Sequence, residues 1–191
     1  MNKQLILASG SPRRKELLNQ LHIPFSVHVS TIEETVKPNQ SPAEVVMDLA
    51  AQKACDVARF YPNDLVLGSD TVVVYHNQIL GKPFTKEEAV ETLKMLSGKK
   101  HQVLTGVAFV QGASVSTFYE QTDVEFWPLE VDEIVQYVHS GEPMDKAGSY
   151  GIQGLGAAFV KGVQGDYFTV VGLPLSRTVR ELKKHGFVYS I

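Results

Sequence analysis

Cysteine is almost absent from this 191-residue sequence, in which Cys55 is the single example. One thiol cannot form an internal disulfide, and it cannot supply a cysteine-based zinc or iron–sulfur site. Histidine occurs six times but forms neither an HExxH pattern nor an i, i+4 pair, so the ligands of a zinc hydrolase are missing. These absences favour a reducing compartment, and the cytoplasm is the location we expect.

Long apolar runs and a strong net charge are also absent. The run at residues 5–8 is far shorter than the roughly 7–15 residues of a signal-peptide core or the roughly 20 of a membrane span, so neither export nor membrane insertion is expected. The 18 Lys and Arg against 21 Asp and Glu leave a net charge of −3, which gives no overall attraction to nucleic acid or anionic lipid. Any affinity for phosphate must therefore come from a local cluster.

The composition fits a single domain over residues 1–191, with at most two lobes around a cleft. The sequence is 43% hydrophobic and 20% charged, and a chain of this length can bury roughly 70% of its extended surface without disulfides or a structural metal. Helical and strand patterns follow one another closely, with no repeat or long polar linker between them. This succession predicts a mixed α/β fold.

Capping boxes mark two of the predicted helices. Ser41-Pro42-Ala43-Glu44 precedes a helix that we expect to reach about Phe60, and residues 85–88 precede one that ends near Gly98. The other elements are predicted from periodicity and turn residues: strands at 5–8, 25–29, 65–75, 102–110, 115–122 and 157–161, and helices from Ser11-Pro12, at 129–139 and at 175–185. The strand at 65–75 is expected to turn at His76-Asn77.

Two charged residues interrupt apolar patterns. Lys53 lies on the apolar stripe of the helix that starts at Pro42, and Asp70 lies inside the apolar run 65–74, where an unpaired carboxylate would cost several kcal/mol if desolvated. Singly, Lys53 could extend to water and Asp70 could bind backbone amides. Together they favour a metal–phosphate site. Gly68 beside them indicates that something approaches the backbone closely.

The first strand, turn and helix form a candidate anion site. Residues 9–15 combine the hydroxyl of Ser9 with a helix N-terminus and the guanidinium groups of Arg13 and Arg14, all of which can bind phosphate. A solvated basic first turn is the plain structural alternative, but cations there oppose the helix dipole. Lys82, in a Gly-Lys-Pro turn, could contact a further phosphate oxygen.

The remaining motifs are less specific. Glu33 or Glu34 could bring a second carboxylate to a metal, although acidic loop residues are more often merely solvated, and the sequence leaves the choice between them open. The glycines at 148–156 lack the GxGxxG order after a strand, and no Walker A motif occurs, so Rossmann and P-loop folds are not favoured.

Several blocks, in their order along the chain, resemble the Maf family, the septum-formation-inhibitor family of nucleoside triphosphate pyrophosphatases. The blocks are LASGSPRR at 7–14, GSDT at 68–71, GKP at 81–83, LSG at 96–98 with His101, TGV at 105–107, EPMDKAGSYGIQG at 142–154 and VGLPL at 171–175. The resemblance covers essentially the whole chain. It implies a fold like that of inosine triphosphate pyrophosphatases, with a mixed, curved central sheet, helices on both sides and two lobes around a cleft.

The resemblance also implies a reaction. Members of the family hydrolyse a nucleoside triphosphate between its α and β phosphates, with Mg²⁺ or Mn²⁺, and Asp70 matches the family's proton acceptor. Arg13, Thr71 and Gln153 match the branch that acts on dTTP and UTP, including some modified pyrimidine nucleotides. Ser69, Asp166 and Thr169 depart from the residues common in relatives, which are Ala, Ser and Asn. A homodimer is also implied.

These observations predict one groove with a role for each residue. The catalytic set is Asp70, Lys53, Lys82 and Glu33; the substrate-binding set is Ser9, Arg13, Arg14, Thr71 and Gln153; and the metal ligands are Asp70 and Glu33. A nucleotide-binding regulator of septum formation without useful turnover is the alternative from another class. A nucleotidyltransferase, the third hypothesis, would need a second acceptor substrate.

Overall fold

The computed structural model describes residues 3–188. Within them, seven strands form one sheet in the order β2-β1-β3-β5-β6-β7, with β4 paired to β3. The strands are β1 (Leu5–Leu7), β2 (Phe25–Val27), β3 (Leu65–Tyr75), β4 (Gln78–Leu80), β5 (Lys100–Gln111), β6 (Ser114–Phe126) and β7 (Val160–Gln164). The helices are α1 (Pro12–Asn19), α2 (Pro42–Ala58), α3 (Lys86–Leu96), α4 (Val131–His139), α5 (Tyr167–Val171) and α6 (Leu175–Lys184).

The sheet is mixed, as predicted. β1 runs parallel to both β2 and β3, whereas β3 with β4 and β6 with β7 are antiparallel. The turn predicted between β3 and β4 is made by His76 and Asn77, both with positive φ, as a tight two-residue hairpin requires. Among residues 3–188, no helix has both the length and the apolar character needed to cross a bilayer.

The chain divides into two compact units. The first comprises the described residues up to Asp70, together with Thr105–Glu120 and the described residues from Gly172 onward. The second comprises Thr71–Leu104 and Gln121–Val171. The assignment of residues 1–191 to a single domain stays a prediction.

In the first unit, α2 packs directly on two strands. Its predicted apolar stripe is buried: Val46, Leu49, Ala50, Ala54 and Val57. Gly68 of β3 and Gly106 of β5 make this packing possible, because a Cβ at either position would collide with a backbone carbonyl oxygen of α2, that of Ala50 or Val46 respectively. The close approach predicted at Gly68 is therefore made by helix α2.

Helix α2 begins where its capping box predicts. The hydroxyl of Ser41 accepts a hydrogen bond from the Glu44 backbone N–H at 3.3 Å, and the Glu44 carboxylate accepts one from the Ser41 backbone N–H at 2.8 Å. The helix ends at Ala58, two residues earlier than expected, and the next turn closes with a hydrogen bond from the Phe60 N–H to the Val57 carbonyl.

We expect Ser41→Ala to lower the free energy of unfolding by about 1 kcal/mol, because the Glu44 N–H loses its acceptor. The measurement is urea-induced unfolding followed by circular dichroism. Ser26→Ala, at an exposed position of β2, serves as the control. Equal midpoints for the two variants would contradict a stabilising capping box.

The second unit is built around a cluster of aromatic rings. Phe126 packs edge-on against His101, Tyr150 and Phe159. His101 is only 2% exposed, and burial lowers its pKa to about 4, so the ring is neutral near pH 7. Its Nε2 lies 2.9 Å from the Tyr150 hydroxyl.

One predicted strand starts later than expected. Residues Leu155–Phe159 form a 3-10 turn, and β7 begins only at Val160 and continues to Gln164. The prediction of a strand over 157–161 was therefore wrong for its first three residues. The reason is tertiary: the backbone N–H groups of Leu155 and Gly156 bind a side chain elsewhere in the unit, and Phe159 turns into the aromatic cluster.

Candidate active site

Lys53 of α2 lies between two carboxylates in the first unit. Its Nζ is 2.6 Å from Asp70 Oδ1 and 3.1 Å from Glu34 Oε1. The side chains of Lys53 and Asp70 are only 16% and 14% exposed, so the charge that each brings into an apolar element is neutralised by the other. Lys53 and Asp70, the two charged residues that interrupt apolar patterns, therefore form one ion pair.

Arg14 is held at the start of α1, in the same unit. Its Nε donates to the Gly172 carbonyl at 2.8 Å, and its Nη1 donates to Ser9 Oγ at 3.2 Å. Burial lowers the pKa of the guanidinium and Arg13 adds to this effect, whereas Asp70 and Glu34 oppose it. An arginine remains charged under such shifts, so Arg14 presents a fixed cation within the field of the two carboxylates.

The first turn of α1 offers further donors. Pro12 starts the helix, and the side chain of the N-cap residue Ser11 makes no capping hydrogen bond. The Ser9 hydroxyl accepts a hydrogen bond from the Ser11 backbone N–H at 3.3 Å, which fixes the turn before the helix. Arg13 is half-buried in this turn. The arrangement presents cationic groups and backbone amides of the kind that bind phosphate.

The carboxylates suit a hard divalent cation. The oxygens of Asp70 and Glu34 both contact the Lys53 nitrogen, and carboxylate oxygens are the ligands that hard cations prefer. No group of three or more His, Cys, Asp or Glu side chains in residues 3–188 is arranged to hold a metal. Mg²⁺ needs no such group, because one or two carboxylates and the phosphates of a substrate complete its coordination. Glu33 is an exposed neighbour in the same irregular segment.

The other predicted site residues belong to the second unit. Thr71 is half-buried in β3, and Gln153 is exposed between Gly151 and Gly154. Lys82 is exposed in its turn. The convergence of these three side chains with those of the first unit on one groove stays a prediction.

The turn that carries Lys82 is hydrogen-bonded to the glycine-rich segment, residues 148–156. The Gly81 carbonyl accepts a hydrogen bond from the Gly148 N–H at 3.1 Å. Gly148 has a φ of +67°, and a Cβ there would lie 2.6 Å from Cγ2 of Val73. Only glycine fits this position, which fixes the start of the segment that carries Gln153.

Sequence reasoning missed the contribution of two residues. The Gly172 carbonyl accepts hydrogen bonds from Arg14 Nε at 2.8 Å and from the buried hydroxyl of Ser69 at 3.0 Å. Glu142 binds the glycine-rich segment in the second unit. The blocks that contain Gly172 and Glu142 were visible in the sequence, but nothing in their spacing indicates these long-range partners.

Two departures from the family pattern have a structural explanation. The Asp166 carboxylate accepts hydrogen bonds from the backbone N–H and the hydroxyl of Thr169, at 3.0 and 2.9 Å. The pair thereby closes the first turn of α5. Because the Asp166 and Thr169 side chains bind each other, they fix the start of helix α5.

Comparison with known proteins identifies relatives over almost the whole chain. The sequence model of one family, described as "Maf-like protein", matches residues 4–185. A protein of Halalkalibacterium halodurans named dTTP/UTP pyrophosphatase is 58% identical over 185 residues, which cover 97% of each chain. A protein of the same name from Bacillus cereus strain G9842 is 57% identical over 182 residues, which cover 95% of each chain.

One solved structure is a distant match. A nucleoside-triphosphatase / dITP/XTP pyrophosphatase from Mycobacterium abscessus superposes with a TM-score of 0.46 at 12% identity, covering 96% of each chain. The assignment rests instead on sequence, since the family match contains every block from residues 7–14 to 171–175. With relatives more than half identical along nearly their full length, this chain belongs to the Maf family.

Proposed function

We propose that this protein hydrolyses dTTP and UTP to the nucleoside monophosphate and pyrophosphate. The observation that carries the proposal is the position of Asp70, a carboxylate held by Lys53 at 2.6 Å in the electrostatic field of Arg14. A proton acceptor next to phosphate-binding cations is what attack on a phosphoanhydride requires. The names of the two bacterial relatives support the choice of substrate.

In the proposed reaction, water attacks the α phosphorus and the bond from that phosphorus to the α–β bridging oxygen breaks. Asp70 accepts the proton of the attacking water, and Lys53 fixes the orientation of its carboxylate. Arg13 and Arg14 bind the β and γ phosphates and stabilise the charge on the departing pyrophosphate, and a part for Lys82 in this step stays a prediction. Ser9 adds a hydroxyl, while its bond to Arg14 holds that guanidinium in place.

A bound Mg²⁺ or Mn²⁺ would supply charge neutralisation at the phosphates. Asp70 and Glu34 are the residues that we propose would hold it, since the Lys53 contact brings their oxygens near each other. The same contact favours Glu34 over Glu33 as the second carboxylate, and a role for Glu33 stays a prediction.

Selection of the base is proposed to rest on Gln153 and Thr71. The amide of Gln153 can pair with the imide edge of thymine or uracil, which offers one N–H donor and a carbonyl acceptor. Thr71 would shape the same pocket, and the part of Arg13 in the choice of base stays a prediction. We further propose a cytoplasmic location and a homodimer, without a nucleic-acid partner.

The test is a panel of dTTP, UTP, dCTP, dATP and dGTP, each with Mg²⁺ or Mn²⁺, with the products separated by anion exchange. We expect dTMP and UMP with pyrophosphate, and far less product from the other three. Nucleoside diphosphate with orthophosphate would contradict attack at the α phosphorus. Tight binding without any product would instead support a nucleotide-binding regulator.

A further inference from the structure

The Glu142 carboxylate binds the backbone next to the turn that carries Gln153, residues 151–154. Glu142 Oε2 accepts a hydrogen bond from the Leu155 N–H at 2.8 Å, and Oε1 accepts one from the Gly156 N–H at 3.1 Å. Both carboxylate oxygens therefore bind backbone immediately after the turn. One side chain fixes the chain on that side of Gln153.

The other side of the turn is tied to the same carboxylate through Tyr137. The Tyr137 hydroxyl donates to Glu142 Oε1 at 3.0 Å and accepts from the Gly151 N–H at 3.2 Å. Burial, followed by the charge of Glu142, raises the pKa of Tyr137, so its hydroxyl is a neutral donor at any ordinary pH. The turn is thus anchored at both ends by two side chains.

The glycines of the turn are matched to the side chains beneath them. A Cβ at Gly154 would collide with the Glu142 carboxylate, and a Cβ at Gly151 would lie 2.6 Å from Cε of Lys146. The Lys146 ammonium donates to the Glu142 backbone carbonyl at 2.6 Å and so completes the support. A side chain at either position would require the Glu142 carboxylate or the Lys146 side chain to move, and these groups make the contacts that anchor the turn.

The charge of Glu142 suits this task. Its burial alone would raise its pKa, but the hydrogen bonds from Leu155, Gly156 and Tyr137 and the charge of Lys146 outweigh burial and lower the pKa. An ionised carboxylate only accepts hydrogen bonds, and all three of these partners donate. No other side chain of similar length offers two acceptor oxygens.

Discrimination among pyrimidines needs an amide of fixed orientation. Thymine and uracil present an N–H at N3 and a carbonyl at C4, whereas cytosine presents an acceptor at N3 and an amino group at C4. A glutamine amide that turns by 180° exchanges its donor and acceptor and can pair with either edge. Glu142 and Tyr137 fix the backbone on both sides of Gln153 and so limit where its amide can meet the base, whereas a loose turn would give the amide more ways to pair with cytosine.

We infer that Glu142, supported by Tyr137, is a positioning residue for base selection that holds the Gln153 turn so that its amide accepts thymine or uracil and rejects cytosine. The inference rests on the proposed function for its choice of bases. Glu142 itself need not touch the nucleotide. Its effect passes through the Leu155, Gly156 and Tyr137 contacts to the backbone on both sides of the turn.

The test is Glu142→Gln, which keeps the size of the side chain but replaces one acceptor oxygen by an NH₂ donor. We expect the ratio of kcat/KM for dTTP over dCTP to fall by about tenfold or more, mainly through a better KM for dCTP. Gln153→Ala should lower the ratio similarly. Glu133→Gln, at an exposed position of α4, should leave it unchanged.

Tyr137→Phe is a second variant, which removes the anchor at Gly151 and the hydrogen bond to Glu142 Oε1 but leaves the Leu155 and Gly156 contacts in place. If Glu142→Gln does not fold, a fall in the ratio for Tyr137→Phe supports the inference. If Glu142→Gln folds, a ratio equal to that of the unmodified protein overturns the inference. If Glu142→Gln does not fold, the same result for Tyr137→Phe overturns it. A purely structural role would lower the melting temperature and the activity toward both nucleotides equally, and this result also overturns it.

Equilibrium binding of dTTP and dCTP in an Asp70→Asn background separates this inference from the proposed function. If the unmodified protein releases no pyrophosphate from any nucleotide, the proposed function fails. The binding ratio, with and without Glu142→Gln, still decides whether Glu142 controls base selection.

Discussion

Asp70→Asn is expected to lower the rate of pyrophosphate release by about 10²–10⁴-fold while nucleotide binding persists. Asparagine has the shape of aspartate, and its carbonyl oxygen can still accept the hydrogen bond that Lys53 donates at 2.6 Å. It cannot take a proton from water. The loss should therefore appear in kcat, with the dissociation constant for dTTP changed much less.

The measurement is single-turnover pyrophosphate release with Mg²⁺, together with calorimetric titration of dTTP. Asp123→Asn, in strand β6, controls for a generic loss of one carboxylate. Release by Asp70→Asn at a rate close to that of the unmodified protein would remove Asp70 from the role of proton acceptor. Complete loss of binding would show that the main contribution of Asp70 is to hold the metal and substrate and not to accept the proton.

Gly106→Ala is expected to destabilise the protein by roughly 3 kcal/mol or more. The new methyl group would collide with the backbone carbonyl group of Val46 and lie 2.7 Å from the Met47 nitrogen. None of these atoms can rotate away, so helix α2 as a whole must shift. Because α2 carries Lys53, activity should fall along with stability.

Urea unfolding monitored by circular dichroism measures this effect. Gly162→Ala is the matched control, because a Cβ there meets nothing within 4 Å. The control should unfold within about 0.5 kcal/mol of the unmodified protein, as is usual for exposed substitutions. A Gly106→Ala midpoint equal to that of the control would show that α2 can adjust without loss.

Elements whose sequence signals lie within a few residues of one another were predicted accurately. The capping box at Ser41 marked the start of α2, and the turn at His76 and Asn77 was found between two apolar runs. Such signals act within four or five residues, where hydrogen-bond geometry and steric preference depend little on the rest of the chain. The strand expected at 157–161 failed because distant contacts, not local preference, shape residues 155–159.

The candidate site was predictable only in part. Lys53 and Asp70 stood out because charge inside an apolar pattern is costly, and the ion pair between them follows from that cost. The sequence could not show which glutamate approaches Lys53, because Glu33 and Glu34 are adjacent residues of an irregular segment.

The residue pattern alone specified the mixed α/β class, because periodicity distinguishes helices from strands. It also specified the capped start of α2, which depends on hydrogen bonds between near neighbours. The need of Lys53 and Asp70 for partners followed from the cost of burying charge. Tertiary structure alone decided that Glu34 joins that pair, that Gly172 holds Arg14 and that Glu142 anchors the turn of Gln153. These contacts join residues from 13 to 158 positions apart, and only the packing of helices on the sheet brings such residues together.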